Sequence, residues 1–191
     1  MKRVFIVHGW DGYPEECWFP WLKQELEQRG FGVEVPQMPN PDAPTIQTWV
    51  PHLSKMIGTP DQETYLVGHS IGVQTILRYL QTVEALVGGV VAVAGFFTLI
   101  PGSIGTADDE AVAQPWLTTP MDVEKIKGNA SKVVAIFSDN DRFVPLENVE
   151  MFQARLGAET IVLHNKGHIG GSDNAKDVPE ILDTVLKIAG V

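Results

Sequence analysis

Cysteine is almost missing from this chain: Cys17 is the only one in 191 residues, so no internal disulfide can form and no thiolate metal cluster can be built. No turn motif surrounds it, which makes it a packed or partly exposed thiol rather than a nucleophile. Basic residues are also scarce. Fourteen Lys and Arg stand against 24 Asp and Glu, a formal charge of −10, and such a surface repels phosphate, which argues against nucleic-acid and anionic-membrane partners. Long apolar runs are absent too: none approaches the ~18 residues of a membrane span. The first run, Val4-Phe5-Ile6-Val7, is too short for a signal-peptide core and has no small-residue cleavage site after it. The expectation is a cytoplasmic protein.

What is present suits a folded domain. Apolar residues make up 44% of the chain and charged residues 20%, far from the profile of disorder. Short β-branched runs alternate with longer helical patterns, the signature of βα units around a parallel sheet. Strands are expected over 4–7, 33–35, 64–67, 87–94, 133–137 and 160–163. Helices are expected over 20–29, 45–57 (with Pro51 as a blemish), 71–80, 146–156 and 178–188. Runs such as Val90-Val91-Ala92-Val93-Ala94 fit strands covered on both faces. The expected architecture is one three-layer α/β/α domain with a mostly parallel six-stranded sheet. Residues 96–127 break the alternation, punctuated by Pro101, Gly102, Gly105, Pro115 and Pro120. This segment reads as a short cap over a cleft.

Gly68-His69-Ser70-Ile71-Gly72 fits G-x-S-x-G, a turn that carries a nucleophilic serine between strand and helix. The context agrees, since Tyr65-Leu66-Val67 precedes it and Val73, Ile76, Leu77 and Leu80 follow at helical spacing. Gly68 and Gly72 are needed because side chains there would collide across the tight turn. Serine needs a base to attack at neutral pH. Of the five histidines, His8, His52 and His69 lie too early for the chain order serine, acid, histidine, which leaves His164 and His168. His168, in a loop beyond the last strand, is preferred, and His69 is expected to point away from the serine. The orienting acid should leave the fifth strand, where Asp139 and Asp141 both lie. Asp141 is preferred by its spacing from Val144-Pro145, with Asp139 assigned to turn hydrogen bonds. The oxyanion donors are assigned to the N–H groups of Ile71 and Trp10, with His8 and Gly9 shaping the loop that presents Trp10.

With these residues placed, the chain resembles the small α/β-hydrolases of the retinoblastoma-binding protein 9 and YdeN type. The resemblance rests on the opening Val-His-Gly loop, the serine turn, Pro115-Trp116 with Glu124-Lys125-Ile126, Asp141 through Pro145, and Gly167-His168. It implies an α/β-hydrolase fold, a serine-hydrolase triad, no cofactor or metal, and a sheet that begins at the third strand of larger relatives. The expected activity is esterase-like hydrolysis of a small carboxylic ester, thioester or amide through an acyl-enzyme. Phe96, Phe97, Leu99, Ile100 and Trp116 hint at an apolar acyl group, and Gly170-Gly171 at a loosened histidine loop. The rival expectation is a protein-binding module with little turnover, and monomer and homodimer both stay open.

Overall fold

The computed structural model describes residues 1–191, and six parallel strands form its centre: β1 (Arg3–Val7), β2 (Gly32–Glu34), β3 (Thr64–His69), β4 (Gly89–Val93), β5 (Val133–Ser138) and β6 (Glu159–Leu163). Their order across the sheet is β2-β1-β3-β4-β5-β6, and every neighbouring pair is parallel. Between them run α1 (Phe19–Glu27), α2 (Ile46–Ile57), α3 (Ile71–Leu80), α4 (Ala107–Thr118), α5 (Val123–Gly128), α6 (Glu147–Leu156) and α7 (Pro179–Ala189). No helix is long and apolar enough to cross a membrane.

The alternation of side chains along the strands sorts the core into two halves. On one face Phe5, Val7, Leu66, Val90 and Ala92 pack beneath α2, α3 and α6, with Trp49, Leu53, Ile76 and Phe152 as the large fillers. On the other, Val4, Ile6, Val67, Val91 and Ile136 meet Phe19, Leu22 and Leu26 of α1 and Ile181, Val185 and Ile188 of α7. The result is the expected α/β/α sandwich, and this is an α/β-hydrolase fold. Pro51 does not interrupt α2. It lies on the exposed face, and Thr45 caps the helix by accepting the Thr48 N–H at 3.2 Å.

Residues 96–127 contain two helices that apolar periodicity does not reveal. α4 is exposed through most of its first turns, and its start is marked instead by a reciprocal cap between Thr106 and Asp109. α5 is short and is capped by Asp122. The end of α4 is tied down firmly: buried Arg78 donates to the carbonyls of Trp116 and Thr119, both at 2.9 Å, and the Trp116 indole donates to Pro44. A cation at a helix C-terminus also meets the negative end of the helix dipole. Where the segment leaves β4, buried Asn148 accepts the N–H groups of Phe97 and Thr98 and donates to the carbonyls of Thr98 and Pro145.

Candidate active site

Parallel strands deliver all their carboxyl ends to one edge of the sheet, and the loops that follow them meet there. Ser70 follows β3 directly. Its backbone, at φ 53° and ψ −120°, is in a region that side-chain-bearing residues rarely adopt, and it is held there by Ser70 N–H donating to the Val93 carbonyl at 2.9 Å. The flanking glycines have steric causes that can be measured. A Cβ on Gly72 would stand 2.3 Å from the Val7 carbonyl oxygen, and one on Gly68 would stand 2.8 Å from the Val73 nitrogen.

The three residues singled out by motif and chain order come together. Ser70 Oγ lies 2.9 Å from His168 Nε2, and His168 Nδ1 lies 2.8 Å from Asp141 Oδ2. The other oxygen of Asp141 accepts the N–H groups of Phe143 and Val144 at 2.8 and 3.1 Å. With only 2% of its side chain exposed, the carboxylate is fixed in one orientation. The hydrogen-bond directions assign His168 the tautomer with its proton on Nδ1, donated to Asp141, and a free lone pair toward the serine hydroxyl. The edge of the Phe143 ring packs on the imidazole, 4.9 Å between centroids.

The other two candidates pair with each other instead. Asp139 Oδ2 lies 2.5 Å from His164 Nδ1, and Asp139 Oδ1 accepts the Asn165 N–H. The His164 side chain is 80% exposed, so this pair braces the turn between β5 and the histidine loop from outside.

Ile71 opens α3, where the first N–H groups have no acceptor within the helix. The Trp10 N–H enters no backbone hydrogen bond in its turn. Both residues line the cleft beside Ser70. The loop that carries Trp10 is fastened from below by His8, which is fully buried. Its Nδ1 meets the Gly9 carbonyl at 2.8 Å while its Nε2 accepts the Met38 N–H at 3.0 Å, and burial holds its pKa below the ordinary value. His8 therefore does not face the cleft, but it sets the turn that does. His69 lines the cleft beside Ser70, and its Nε2 meets the His168 carbonyl at 2.9 Å.

The cleft measures about 380 Å³. Of the apolar residues expected to face a substrate, Phe96 and Leu99 line it. Phe97 and Trp116 do not: both are buried in the core, against Phe152 and Trp49 respectively. Ile100 is turned outward and is partly exposed. Ile104 and Ala113, which the sequence did not single out, complete the apolar wall from the segment around α4. Asp11, Glu16 and Asp109 also line the cleft, and no lysine or arginine does. Burial and the neighbouring Asp11 push the Glu16 carboxyl above its usual range, although a hydrogen bond from the Tyr13 backbone opposes this. No periodicity could have flagged these acids: Asp11 and Glu16 stand in turns, and Asp109 lies in the first turn of α4, whose start is marked by capping rather than by apolar spacing. No group of three or more His, Cys, Asp or Glu side chains is arranged to hold a metal ion.

Gly170 and Gly171 are close-packed, contrary to the expectation of a loosened loop. A Cβ on Gly170 would stand 3.1 Å from His69 Cε1, and one on Gly171 would stand 2.2 Å from a Glu16 carboxylate oxygen. Their lack of side chains lets the histidine loop approach these neighbours.

Comparison with known proteins bears on the family and the fold. A family model described as serine hydrolase matches residues 4–187. YdeN of Bacillus subtilis strain 168, a hydrolase by name, is 29% identical over 96% of this chain and 94% of its own length. The crystal structure of the B. subtilis ydeN product superposes with a TM-score of 0.91 at 27% identity, covering 100% of both chains. The rat (Rattus norvegicus) serine hydrolase RBBP9 is 26% identical over 82% of this chain and 80% of its own. At 14% identity, the ferulic acid complex of Est1E from Butyrivibrio proteoclasticus shares the fold, with a TM-score of 0.76 over 100% of this chain and 90% of that one.

Proposed function

The chain belongs to the serine hydrolase family, and on that premise we propose that it cleaves a small carboxylic ester through an acyl-enzyme carried on Ser70. The observation that carries this reading is the continuous relay from Ser70 Oγ through His168 to Asp141, with links of 2.9 and 2.8 Å. Ser70 attacks the carbonyl as His168 Nε2 takes its proton, and Asp141 stabilises the imidazolium that forms. The developing oxyanion is received by the N–H groups of Ile71 and Trp10, supported by the positive end of α3. His168 then returns the proton to the leaving alkoxide. A water activated by the same imidazole breaks the acyl bond and frees Ser70.

The segment 96–127 serves as the cap of this cleft, with the end of α4 fixed through Arg78 and Trp116 and its apolar side supplied by Leu99, Ile104 and Ala113. Its wall suits an uncharged, largely apolar acyl group. The three carboxylates, unopposed by any lining cation, disfavour polyanionic substrates such as a phosphorylated thioester carrier and favour neutral or cationic esters. Thioesters and amides of small uncharged acids are attacked by the same machinery at different rates.

The test is a fluorophosphonate probe together with a panel of p-nitrophenyl esters. Wild type is expected to be labelled and to turn over the esters, and Ser70→Ala to lose both. Labelling that persists in Ser70→Ala removes Ser70 as the nucleophile. Inertness of the wild type toward probe and esters together returns the protein to the binding-module reading.

A further inference from the structure

The residue directly after His168 has an unusual backbone. Ile169 has φ +55°, a left-handed conformation that a β-branched side chain resists, and its side chain is completely buried. Such a conformation persists only where surrounding contacts over-determine it. Here two contacts do so, and both act on consecutive carbonyls. The His69 Nε2–H donates to the His168 carbonyl at 2.9 Å, and the Trp18 indole N–H donates to the Ile169 carbonyl at 2.9 Å. A third bond fixes the other side of the base, since the His168 N–H donates to Asp173 at 2.9 Å.

His69 does more than donate. Its ring is wedged between two glycines on different loops: a Cβ on Gly9 would stand 2.9 Å from Nδ1, and one on Gly170 would stand 3.1 Å from Cε1. Trp18 and Phe19 close over it, with ring centroids 6.3 and 6.2 Å away. The ring is thus the spacer between the loop that presents Trp10 and the loop that presents His168, and it is attached by its own backbone to Ser70. Burial together with the adjacent His168 brings its pKa down to about 3, so it is neutral wherever His168 can act as a base, with one proton to donate and no charge to repel an imidazolium.

We propose that His69 is a positioning residue for hydrolysis: it holds the catalytic base through the His168 main-chain carbonyl and sets the gap between the oxyanion loop and the base loop. The proposal rests on the triad reading above. It predicts that what matters at position 69 is a planar side chain carrying a donor where Nε2 stands, which glutamine supplies and phenylalanine lacks.

The experiment compares wild type, His69→Phe, His69→Gln and Trp18→Phe by steady-state ester hydrolysis and by 15N imidazole spectra of His168. His69→Phe is expected to lower kcat about 10- to 100-fold with KM changed less than about twofold, the pattern of a misplaced base rather than a damaged pocket. His69→Gln is expected to recover most of kcat. In the spectra, wild type and His69→Gln should show His168 as a single Nδ1-protonated tautomer, and His69→Phe should show a mixture. Full kcat and one tautomer in His69→Phe, with Ser70→Ala inactive, overturns the proposal and leaves the triad reading intact. If wild type hydrolyses nothing, the triad reading falls while the tautomer comparison still judges His69. Should His69→Phe not fold, His69→Leu takes its place: a lowered kcat with a mixed tautomer supports the proposal and wild-type behaviour in both refutes it, while Trp18→Phe reports separately on the Ile169 carbonyl bond.

Discussion

Asp141 meets His168 through a single carboxylate oxygen, 2.8 Å from Nδ1, while its other oxygen is occupied by two main-chain N–H groups. The carboxylate is therefore held against the imidazole in one orientation by its own turn. Asparagine at this position would keep the shape but present an amide where the ring needs an acceptor, or else force the wrong tautomer. Asp141→Asn is expected to lower kcat by roughly 10⁴-fold with the fold unchanged, by analogy with the serine protease triad. The measurement is ester turnover alongside circular dichroism. Asp139→Asn, by contrast, is expected to leave kcat within about threefold, because exposed pairs contribute little and this one does not touch the serine or its base. Equal losses in both variants would remove the distinction between the two acids.

The sequence carried the fold further than it carried the cleft. Strand and helix positions followed from β-branched runs and apolar periodicity because the sheet is covered on both faces and each helix must bury a stripe. α4 escaped because it has little to bury: its early turns face solvent, and its start is marked by side-chain capping between Thr106 and Asp109 rather than by apolar spacing. Ser70 could be located because its turn imposes glycines at fixed offsets. The spacing from Val144-Pro145 favoured Asp141 over Asp139, but which carboxylate the turn aims at His168 and which at His164 is a matter of backbone geometry that residue types do not contain. Trp18 and Glu16 left no signal, since they act on the histidine loop across more than 150 residues of chain.

The glycine at position 72 is a packing requirement that stability measurements can read. A methyl group there meets the carbonyl oxygens of Val7 and His8 at 2.3 and 2.6 Å, and both belong to backbone that cannot move without shifting β1. Gly72→Ala is expected to destabilise the protein by about 3 kcal/mol or more, at the upper end of over-packing effects. Urea unfolding measures it. Gly128→Ala, where the added methyl meets nothing within 4 Å, serves as the control and should change stability by less than about 1 kcal/mol.

The charge on the cleft wall gives a prediction about substrates. Asp11, Glu16 and Asp109 line it without a compensating cation, so an ester with a quaternary ammonium leaving group should be preferred over its neutral tert-butyl isostere. The expected ratio of kcat/KM is roughly 3- to 10-fold at low salt, the scale of one or two partly solvated charge pairs. It should shrink toward one as ionic strength rises, and in the Asp11→Asn, Glu16→Gln double variant. A neutral ester preferred at every salt concentration would remove the electrostatic account of selectivity.

Two histidines make the fold sensitive to acid well above the range in which carboxylates titrate. His69 is held at about 3 and His8 is lowered from 6.5, in both cases chiefly by burial. Below about pH 6.5 the unfolded chain takes up protons at these positions more readily than the folded chain does. The unfolded state then binds more protons, so stability rises with pH and is lost as pH falls. Each imidazole contributes a slope of at most about 1.4 kcal/mol per pH unit while its folded form stays neutral. Glu16 opposes this weakly: its raised pKa keeps a proton on the folded state after the unfolded chain has lost it, so its contribution falls as pH rises. With two groups against one, the urea midpoint should fall steadily from pH 6.5 to 4.5. His69→Gln removes one of the two titrating rings, and its midpoint should fall less steeply over the same interval. If wild type and variant lose stability in parallel, His69 is charged in the folded protein, and its neutral donor role at the His168 carbonyl is lost with it.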